Sequence, residues 1–125
     1  MTMTTEKTLE LVRAYYDGWK GLPGRCDEGI LHRVLHPRLQ FESPVSKYDT
    51  LEAFLPGLTR FNGTVRARHM LQMFANGDEA AAIYDCELTA PVDSLRCAEI
   101  FRVEGGCICS IRLVFDASAY NKPKP

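Results

Sequence analysis

The sequence predicts an α+β fold in which three N-terminal helices cover one face of a strongly curved antiparallel sheet. In the first half of the chain apolar residues recur at the spacing of a helix, whereas in the second half they alternate with polar residues. Turn signals at 76–78, 91–94 and 105–106 separate the alternating runs, so the strands should follow one another as a meander. Helices packed on such a sheet would form a cone around an apolar pocket.

The first two helices are predicted from their caps and apolar stripes. Thr4 or Thr5 can cap a helix whose apolar stripe extends to Trp19. Asp27 can cap a short second helix, which should end just before Pro37. Both helices should bury one stripe against the sheet.

A third helix is predicted after a short extended piece at 39–42. Asp49, with Glu52 three residues later, has the pattern of a capping box, and the apolar stripe continues to Phe61. Pro56 lies inside this segment, where it removes a backbone hydrogen bond and crowds the preceding turn. We therefore expect a kink, or two short turns with Pro56 at the start of the second.

The second half of the chain contains four predicted strands, at 64–75, 79–90, 95–104 and 107–117. Because side chains alternate between the faces of a strand, each residue can be assigned to a face. One face is almost wholly apolar, and its only acid–base groups are His69 and Glu99. The helices should cover this face, since burial of the other would strand many charges. A single β-bulge would exchange the faces beyond it.

His69 and Glu99 are the main catalytic candidates. Histidine titrates near neutral pH, so a buried His69 could act as a general base or acid; the alternative is a core histidine satisfied by Glu99 or a tyrosine. A carboxylate on an apolar face is costly without a partner, which favours a pocket role for Glu99. The structural alternative is a pair with His69 or Tyr15.

Aromatic residues could line the pocket and offer hydroxyl or indole donors to a ligand. An aromatic stripe at helical spacing can equally be plain core, so both interpretations stay open. The predicted pocket residues are Tyr16, Trp19, Tyr84, Phe101, Leu113 and Phe115.

The opposite face of the sheet mixes charges of both signs with aliphatic side chains, as moderately polar protein interfaces do. We expect a homodimer through this face. The residues assigned to the interface are Met70, Phe74, Ile83, Ile100, Arg102, Arg112 and Val114.

Composition and charge narrow the possible functions. The 125 residues carry a net charge of −1, which predicts neither nucleic-acid nor membrane binding. The sequence has no signal segment and no apolar run of about 18 residues, so we expect one cytoplasmic domain, 1–125, with loose ends at 1–4 and 120–125. Its five cysteines fit reduced thiols, and the spacing of Cys107 and Cys109 argues against zinc. We expect no metal and no cofactor.

Five segments carry a family resemblance: LVRAYYDGW (11–19), FESP (41–44), DEAAAIY (78–84), AEIFRVEGG (98–106) and IRLVFD (111–116). In this order, and across nearly the whole chain, they resemble the SnoaL-like and ketosteroid-isomerase-like proteins of the nuclear transport factor 2 superfamily. The resemblance implies the cone fold. It leaves activity open, because the superfamily includes isomerases, epoxide hydrolases, cyclases, dehydratases and proteins that only bind.

The resemblance also implies roles for individual residues. It places Tyr15 where the isomerases keep a hydrogen-bonding tyrosine, and Glu99 where they keep a protonated acid that stabilises an oxyanion. Ser43 falls where they keep a proton-shuttling aspartate. A serine cannot act as a carboxylate base, so His69 is the expected substitute.

Two functions follow as expectations. In the first, the cone binds a small, largely apolar molecule and catalyses isomerisation, cyclisation or dehydration, with His69 moving the proton while Glu99 and Tyr15 hold the oxyanion. In the second, the cone is a non-catalytic dimeric module that carries a ligand or serves as a scaffold. The two differ in whether His69 and Glu99 face a partly wet cavity or satisfy each other in a sealed core.

Overall fold

The computed structural model describes residues 4–19, 26–89, 92–118 and 120. Within these ranges three helices lie on one face of a curved, mostly antiparallel sheet of six strands, which confirms the predicted α+β fold. The elements are α1 (Thr5–Asp17), α2 (Glu28–Val34), β1 (Leu35–Glu42), β2 (Lys47–Tyr48), α3 (Leu51–Asn62), β3 (Val65–Asn76), β4 (Glu79–Leu88), β5 (Ser94–Glu104) and β6 (Cys107–Val114).

The first two helices begin where their caps predicted. The Thr4 hydroxyl accepts a hydrogen bond from the backbone N–H of Lys7 at 3.2 Å, and α1 ends at Asp17, two residues before Trp19. The Asp27 carboxylate accepts from the N–H of Ile30 at 3.1 Å and caps α2. Each cap satisfies a backbone donor that the helix itself leaves unpaired.

Helix α3 differs from its prediction in two ways. Thr50, and not Asp49, is the cap, because the Thr50 hydroxyl accepts from the N–H of Ala53 at 3.1 Å. One helix also runs through Pro56 where two short turns were a possibility. Pro56 itself is exposed, while Phe54 and Leu58 are buried, so packing of the apolar stripe holds the helix together across the proline.

The sheet has the order β2-β1-β6-β5-β4-β3. Strands β3 to β6 form the predicted antiparallel meander, but β1 pairs with β6 in parallel, which the prediction of a wholly antiparallel sheet missed. α2 ends at Val34, shortly before Pro37 as predicted, but β1 begins at Leu35, so Pro37 lies inside this strand. The register of β1 on β6 shifts between Leu35 and Gln40, around the proline that has no N–H to donate.

Two β-bulges in β3 exchange its faces. Val65 pairs with Leu88 and Ala67 with Glu87, so Arg66 is an extra residue without a partner. Further along β3 the register shifts again between Met70 and Gln72, leaving Leu71 as the second extra residue. The stretch between the bulges is therefore turned over relative to simple alternation, and beyond Leu71 the predicted faces are restored.

Two residues of the turned-over stretch lie on the inner face, although alternation placed them on the outer one. Arg68 pairs with Cys86 and Met70 with Tyr84, both buried residues of the helix-covered face. Met70 therefore leaves the predicted dimer interface, although it is 36% exposed because β3 is an edge strand. A third register shift, in β6, likewise brings Ile108 opposite Val103 and into the core, whereas alternation placed it outside.

Candidate functional site

A cavity of about 370 Å³ lies between helices α1 and α3 and the inner face of the sheet. Its wall is mainly aromatic and aliphatic, and among the described residues Glu99 and Arg60 are the two charged ones that line it. The lining residues are Tyr15, Trp19, Phe41, Ser43, Val45, Ser46, Tyr48, Phe54, Gly57, Leu58, Arg60, Phe61, Thr64, Thr89, Glu99, Leu113, Phe115 and Tyr120.

The Glu99 carboxyl group lies in the wall of this cavity and is 1% exposed. Strand β5 holds it on the inner face, as alternation predicted. Its Oε1 accepts hydrogen bonds from the hydroxyls of Tyr16 at 2.8 Å and Tyr84 at 2.7 Å. Among the described residues, none donates to Oε2. One oxygen of the carboxyl group is thus fixed by the protein, and the other remains available to a ligand.

Burial raises the pKa of Glu99 from its ordinary value of 4.5 to about 7. The hydrogen bonds from Tyr84 and Tyr16 and the positive charge of Arg68 act in the opposite direction, because each favours the carboxylate. Loss of water around the carboxylate is the larger effect. Near neutral pH, Glu99 therefore exists in both protonation states and can either donate or accept a proton.

Two further donors in the cavity wall lack partners. Among the described residues, nothing accepts a hydrogen bond from the Tyr15 hydroxyl or the Trp19 indole N–H, although both atoms are buried. The indole N–H lies close enough to Tyr15 to lower the pKa of its hydroxyl, but burial and the Glu99 charge raise that pKa more strongly. Tyr15 therefore stays protonated, and both groups can donate to an oxygen atom of a ligand.

Arg68 lies behind these groups, and the sequence analysis missed it. Its guanidinium carbon lies 4.9 Å from the ring centre of Tyr16 and 5.2 Å from that of Trp19, and its Nη1 donates to the Tyr16 carbonyl at 3.2 Å. Simple alternation put Arg68 on the outer face. The bulge at Arg66 turns it inward, and a run of arginines alternating with small residues gives no sign of where such a bulge falls.

The predicted pocket residues fall into two groups. Trp19, Leu113 and Phe115 line the cavity, as do Tyr15 and Glu99. Tyr16, Tyr84 and Phe101 do not line it and form a supporting layer: Tyr16 lies 5.6 Å from Tyr84 and 5.9 Å from Phe101 between ring centres. These edge-to-face contacts fix the tyrosine hydroxyls that hold Glu99.

The prediction that His69 shares the inner face with Glu99 is wrong. The first bulge turns His69 to the outer face, where its side chain is 60% exposed and its Nε2 lies 2.9 Å from a carboxylate oxygen of Glu87. His69 is absent from the cavity lining. It cannot reach a molecule in this cavity, so Glu99 is the acid–base group that remains there.

Two other predicted positions border the cavity. Ser43, which the family resemblance placed at the isomerases' proton-shuttling position, lines it. The residues expected to form loose ends include Thr4, which caps α1, and Tyr120, which lines the cavity with its ring centre 5.9 Å from that of Phe115. Residues 1–3 and 121–125 lie outside the described part of the chain.

The described ranges contain neither a metal-binding cluster nor a membrane-spanning helix. No group of three or more histidine, cysteine, aspartate or glutamate side chains there is placed to hold a metal ion. None of the described helices has the length and apolar character needed to cross a membrane.

Solved structures resemble this chain over almost its whole length. An NTF2-like protein of unknown function from Cytophaga hutchinsonii is 17% identical with a TM-score of 0.70, and the match covers 98% of each chain. A candidate SnoaL-like polyketide cyclase from Jannaschia sp. CCS1 is 9% identical with a TM-score of 0.74 over 95% of each chain. A candidate ketosteroid isomerase from Kribbella flavida is 19% identical with a TM-score of 0.71, covering 97% of this chain and 84% of that one.

No protein-family model and no curated protein matches the chain by sequence. The fold is therefore assigned from the structural matches, together with the helix-covered curved sheet and its inner cavity. The chain has the nuclear transport factor 2-like fold, that of the SnoaL-like and ketosteroid isomerase-like superfamily.

Proposed function

We propose that the protein binds a small, largely apolar molecule that carries a carbonyl group, and that Glu99 exchanges a proton with it in an isomerisation, cyclisation or dehydration. One observation carries this proposal: a carboxyl group with a pKa of about 7 lies in the wall of an apolar cavity, and the described residues bond only one of its oxygens. The cavity volume of about 370 Å³ falls in the range of small-molecule sites, about 300–1,000 Å³.

The chemistry follows from the three groups in the wall. With the ligand carbonyl against Tyr15 and Trp19, the two donors stabilise the negative charge that develops on its oxygen. The Glu99 carboxylate removes a proton from the carbon next to the carbonyl, and the electron pair of that bond moves into the enolate. Glu99 then returns the proton to another atom of the ligand. A base with a pKa near 7 is well matched to this step at neutral pH.

Proton exchange into a bound ketone tests the proposal. Decalone, a bicyclic ketone, would be incubated with the protein in deuterated water, and deuterium incorporation would be followed by mass spectrometry. We expect exchange above the buffer rate, and a loss of about 10²- to 10⁴-fold in Glu99→Gln, with decalone binding retained. His69→Gln is the matched control and should exchange at the wild-type rate, since His69 lies outside the cavity.

Other outcomes would contradict the catalytic proposal. Equal exchange in wild type and Glu99→Gln would show that Glu99 is not the base. Binding of decalone without exchange would support the non-catalytic alternative, a module that only carries a ligand. A failure to bind both decalone and decalin, the hydrocarbon of the same shape, would remove the ligand-binding proposal itself.

We also propose a homodimer through the outer face of the sheet. Phe74, Ile100 and Val114 are 54%, 47% and 57% exposed there, which is unusual for large apolar side chains. Register places Phe74, Ala81 and Ile100 side by side on adjacent strands, so the exposed groups form one continuous surface. A two-fold axis through this surface would cover it with its own copy. Ile83 and the flanking Arg102 and Arg112 complete the proposed interface.

A cytoplasmic location remains part of this proposal. The five cysteines are free thiols, as expected in a reducing compartment.

A further inference from the structure

Arg60 is the second charged residue of the cavity wall, and the acid–base chemistry proposed above does not use it. It lies in the last turn of α3, is exposed, and lines the cavity. Within residues 4–19, 26–89, 92–118 and 120, no carboxylate pairs with its guanidinium and no carbonyl accepts from it. A cation at the rim of an apolar cavity therefore has its full hydrogen-bonding capacity available.

The same cavity wall contains a hydroxyl donor for which the described part of the chain supplies no acceptor. The Ser43 hydroxyl oxygen accepts from the backbone N–H of Val45 at 3.2 Å and of Ser46 at 3.1 Å, which occupies both of its lone pairs. In its 2.8 Å contact with the Ser46 hydroxyl, Ser43 must then be the donor. The hydrogen of the Ser46 hydroxyl is left over, and Ser46 lines the cavity.

The charges within the cavity fix the orientation of a charged guest. Near Glu99, an anionic group would be repelled by the carboxylate and would lose its water, whereas at exposed Arg60 it meets a cation and keeps part of its hydration. Guanidinium groups bind carboxylates with two parallel hydrogen bonds. An apolar body would then extend inward past Trp19 toward Glu99.

We propose that the ligand of this cavity is an amphiphilic carboxylate, held by Arg60 at the rim with its apolar body in the cone. This inference rests on the proposed ligand-binding function and names the class of ligand. It makes Arg60 a specificity-determining residue: the arginine selects among apolar molecules by their charge and takes no part in moving the proton.

Three probes of equal chain length test the inference. Decanoate, decanol and decylammonium would be titrated below their micelle concentrations, and binding would be followed by fluorescence of Trp19, the single tryptophan, which lines the cavity. We expect the wild type to bind decanoate about two- to five-fold more tightly than decanol, the range for an exposed ion pair. Arg60→Gln should remove that preference without changing decanol binding, and Arg60→Glu should favour decylammonium instead.

Arg13→Gln is the matched control, because Arg13 is an exposed arginine that neither lines the cavity nor belongs to the proposed dimer interface. It should keep the wild-type preference. Decanol binding with no preference for decanoate, or a preference that persists in Arg60→Gln, would overturn the inference and leave the ligand-binding function intact. If none of the three probes binds although decalone does, the inference fails and the ligand-binding proposal stands; if decalone and decalin also fail to bind, both proposals fail.

Discussion

Glu99 combines three features that rarely occur together in a carboxyl group. It is 1% exposed, two tyrosine hydroxyls bond the same oxygen, and no lysine or arginine forms a direct ion pair with it among the described residues. Because the tyrosines and Arg68 only partly offset the loss of water, its proton affinity is set by a balance of opposing effects. Removal of one of these groups should therefore shift the pKa of Glu99 measurably.

Arg68→Met tests the contribution of the guanidinium. Methionine preserves most of the volume but removes the positive charge, so the pKa of Glu99 should rise above about 7. Loss of the contacts with the Tyr16 and Trp19 rings should also lower the free energy of unfolding by about 1 kcal/mol. NMR of carboxyl-labelled glutamate reads the pKa, and urea unfolding reads the stability. Arg66→Met, at an exposed arginine two residues before Arg68, should change neither.

At this scale the sequence could identify Glu99 and Tyr15 but not their surroundings. A carboxylate within an alternating apolar run is visible in the sequence, and the family resemblance indicated the same two positions. The hydrogen bonds to Glu99 were not predicted: Tyr16 donates from α1, 83 residues away in the sequence, and the alternation in β4 does not show that Tyr84 donates to it. His69 was misplaced for a different reason: its assignment depended on uninterrupted alternation.

The elements show why that assignment failed. Around 65–71 the alternation of apolar and polar residues is weak, since the set with Val65, Ala67 and Leu71 also contains His69, and the set with Arg66 and Arg68 also contains Met70. Strands β4 and β5 have no such ambiguity and contain no internal register shift where they pair, and there the predicted inner residues are the buried ones. Apolar periodicity therefore predicts faces where the register is unbroken, as between β4 and β5, but cannot locate the bulges in β3 and β6.

At the scale of secondary-structure elements, helix α3 offers a test of packing. A methyl group added at Gly57 would collide with the Tyr48 hydroxyl, and the Tyr48 ring is held by Phe41 and Phe54 at 5.8 and 6.1 Å between ring centres. Gly57→Ala should therefore destabilise the protein by about 1–3 kcal/mol, although alanine is the better helix former.

The matched experiment repeats Gly57→Ala in a Tyr48→Ala background. Without the ring the methyl group has room, and the substitution should stabilise the protein by about 0.5–1 kcal/mol through helix propensity alone. Urea midpoints at constant m-value measure both steps. If Gly57→Ala changes the stability with the same sign in both backgrounds, steric contact with Tyr48 is not what opposes a side chain at position 57.

For the whole molecule, the raised pKa of Glu99 makes stability depend on pH. Since the folded-state pKa of about 7 lies above the ordinary 4.5, the folded protein holds this proton more tightly than the unfolded chain. The free energy of unfolding should therefore fall by about 3 kcal/mol as the pH rises from about 4.5 to about 7, and then level off.

Two variants separate this effect from other titrations. Glu99→Gln should lose the fall in stability over that pH range, because an amide does not ionise. Glu87→Gln, which removes a carboxyl group that is 59% exposed, should keep it. Urea unfolding across the pH range measures the free energy of unfolding of the wild type and both variants. If Glu99→Gln keeps the wild-type pH dependence of stability, Glu99 is not the group that causes it.

The proposed dimer is also a property of the whole molecule. Ile100→Glu places a charge within the exposed apolar surface and should convert the dimer to a monomer in sedimentation velocity. Arg13→Glu, on the exposed side of α1, should leave the dimer intact. Wild-type protein that sediments as a monomer throughout the micromolar range would rule out this interface.

The central claim is that Glu99 titrates near neutral pH in the wall of a cavity that accepts a ligand. NMR titration of carboxyl-labelled glutamate, with and without decalone, measures this directly. We predict a midpoint near 7 for Glu99, rising when decalone displaces the remaining water from the carboxyl group. A midpoint near the ordinary 4.5 that decalone does not move would contradict the claim.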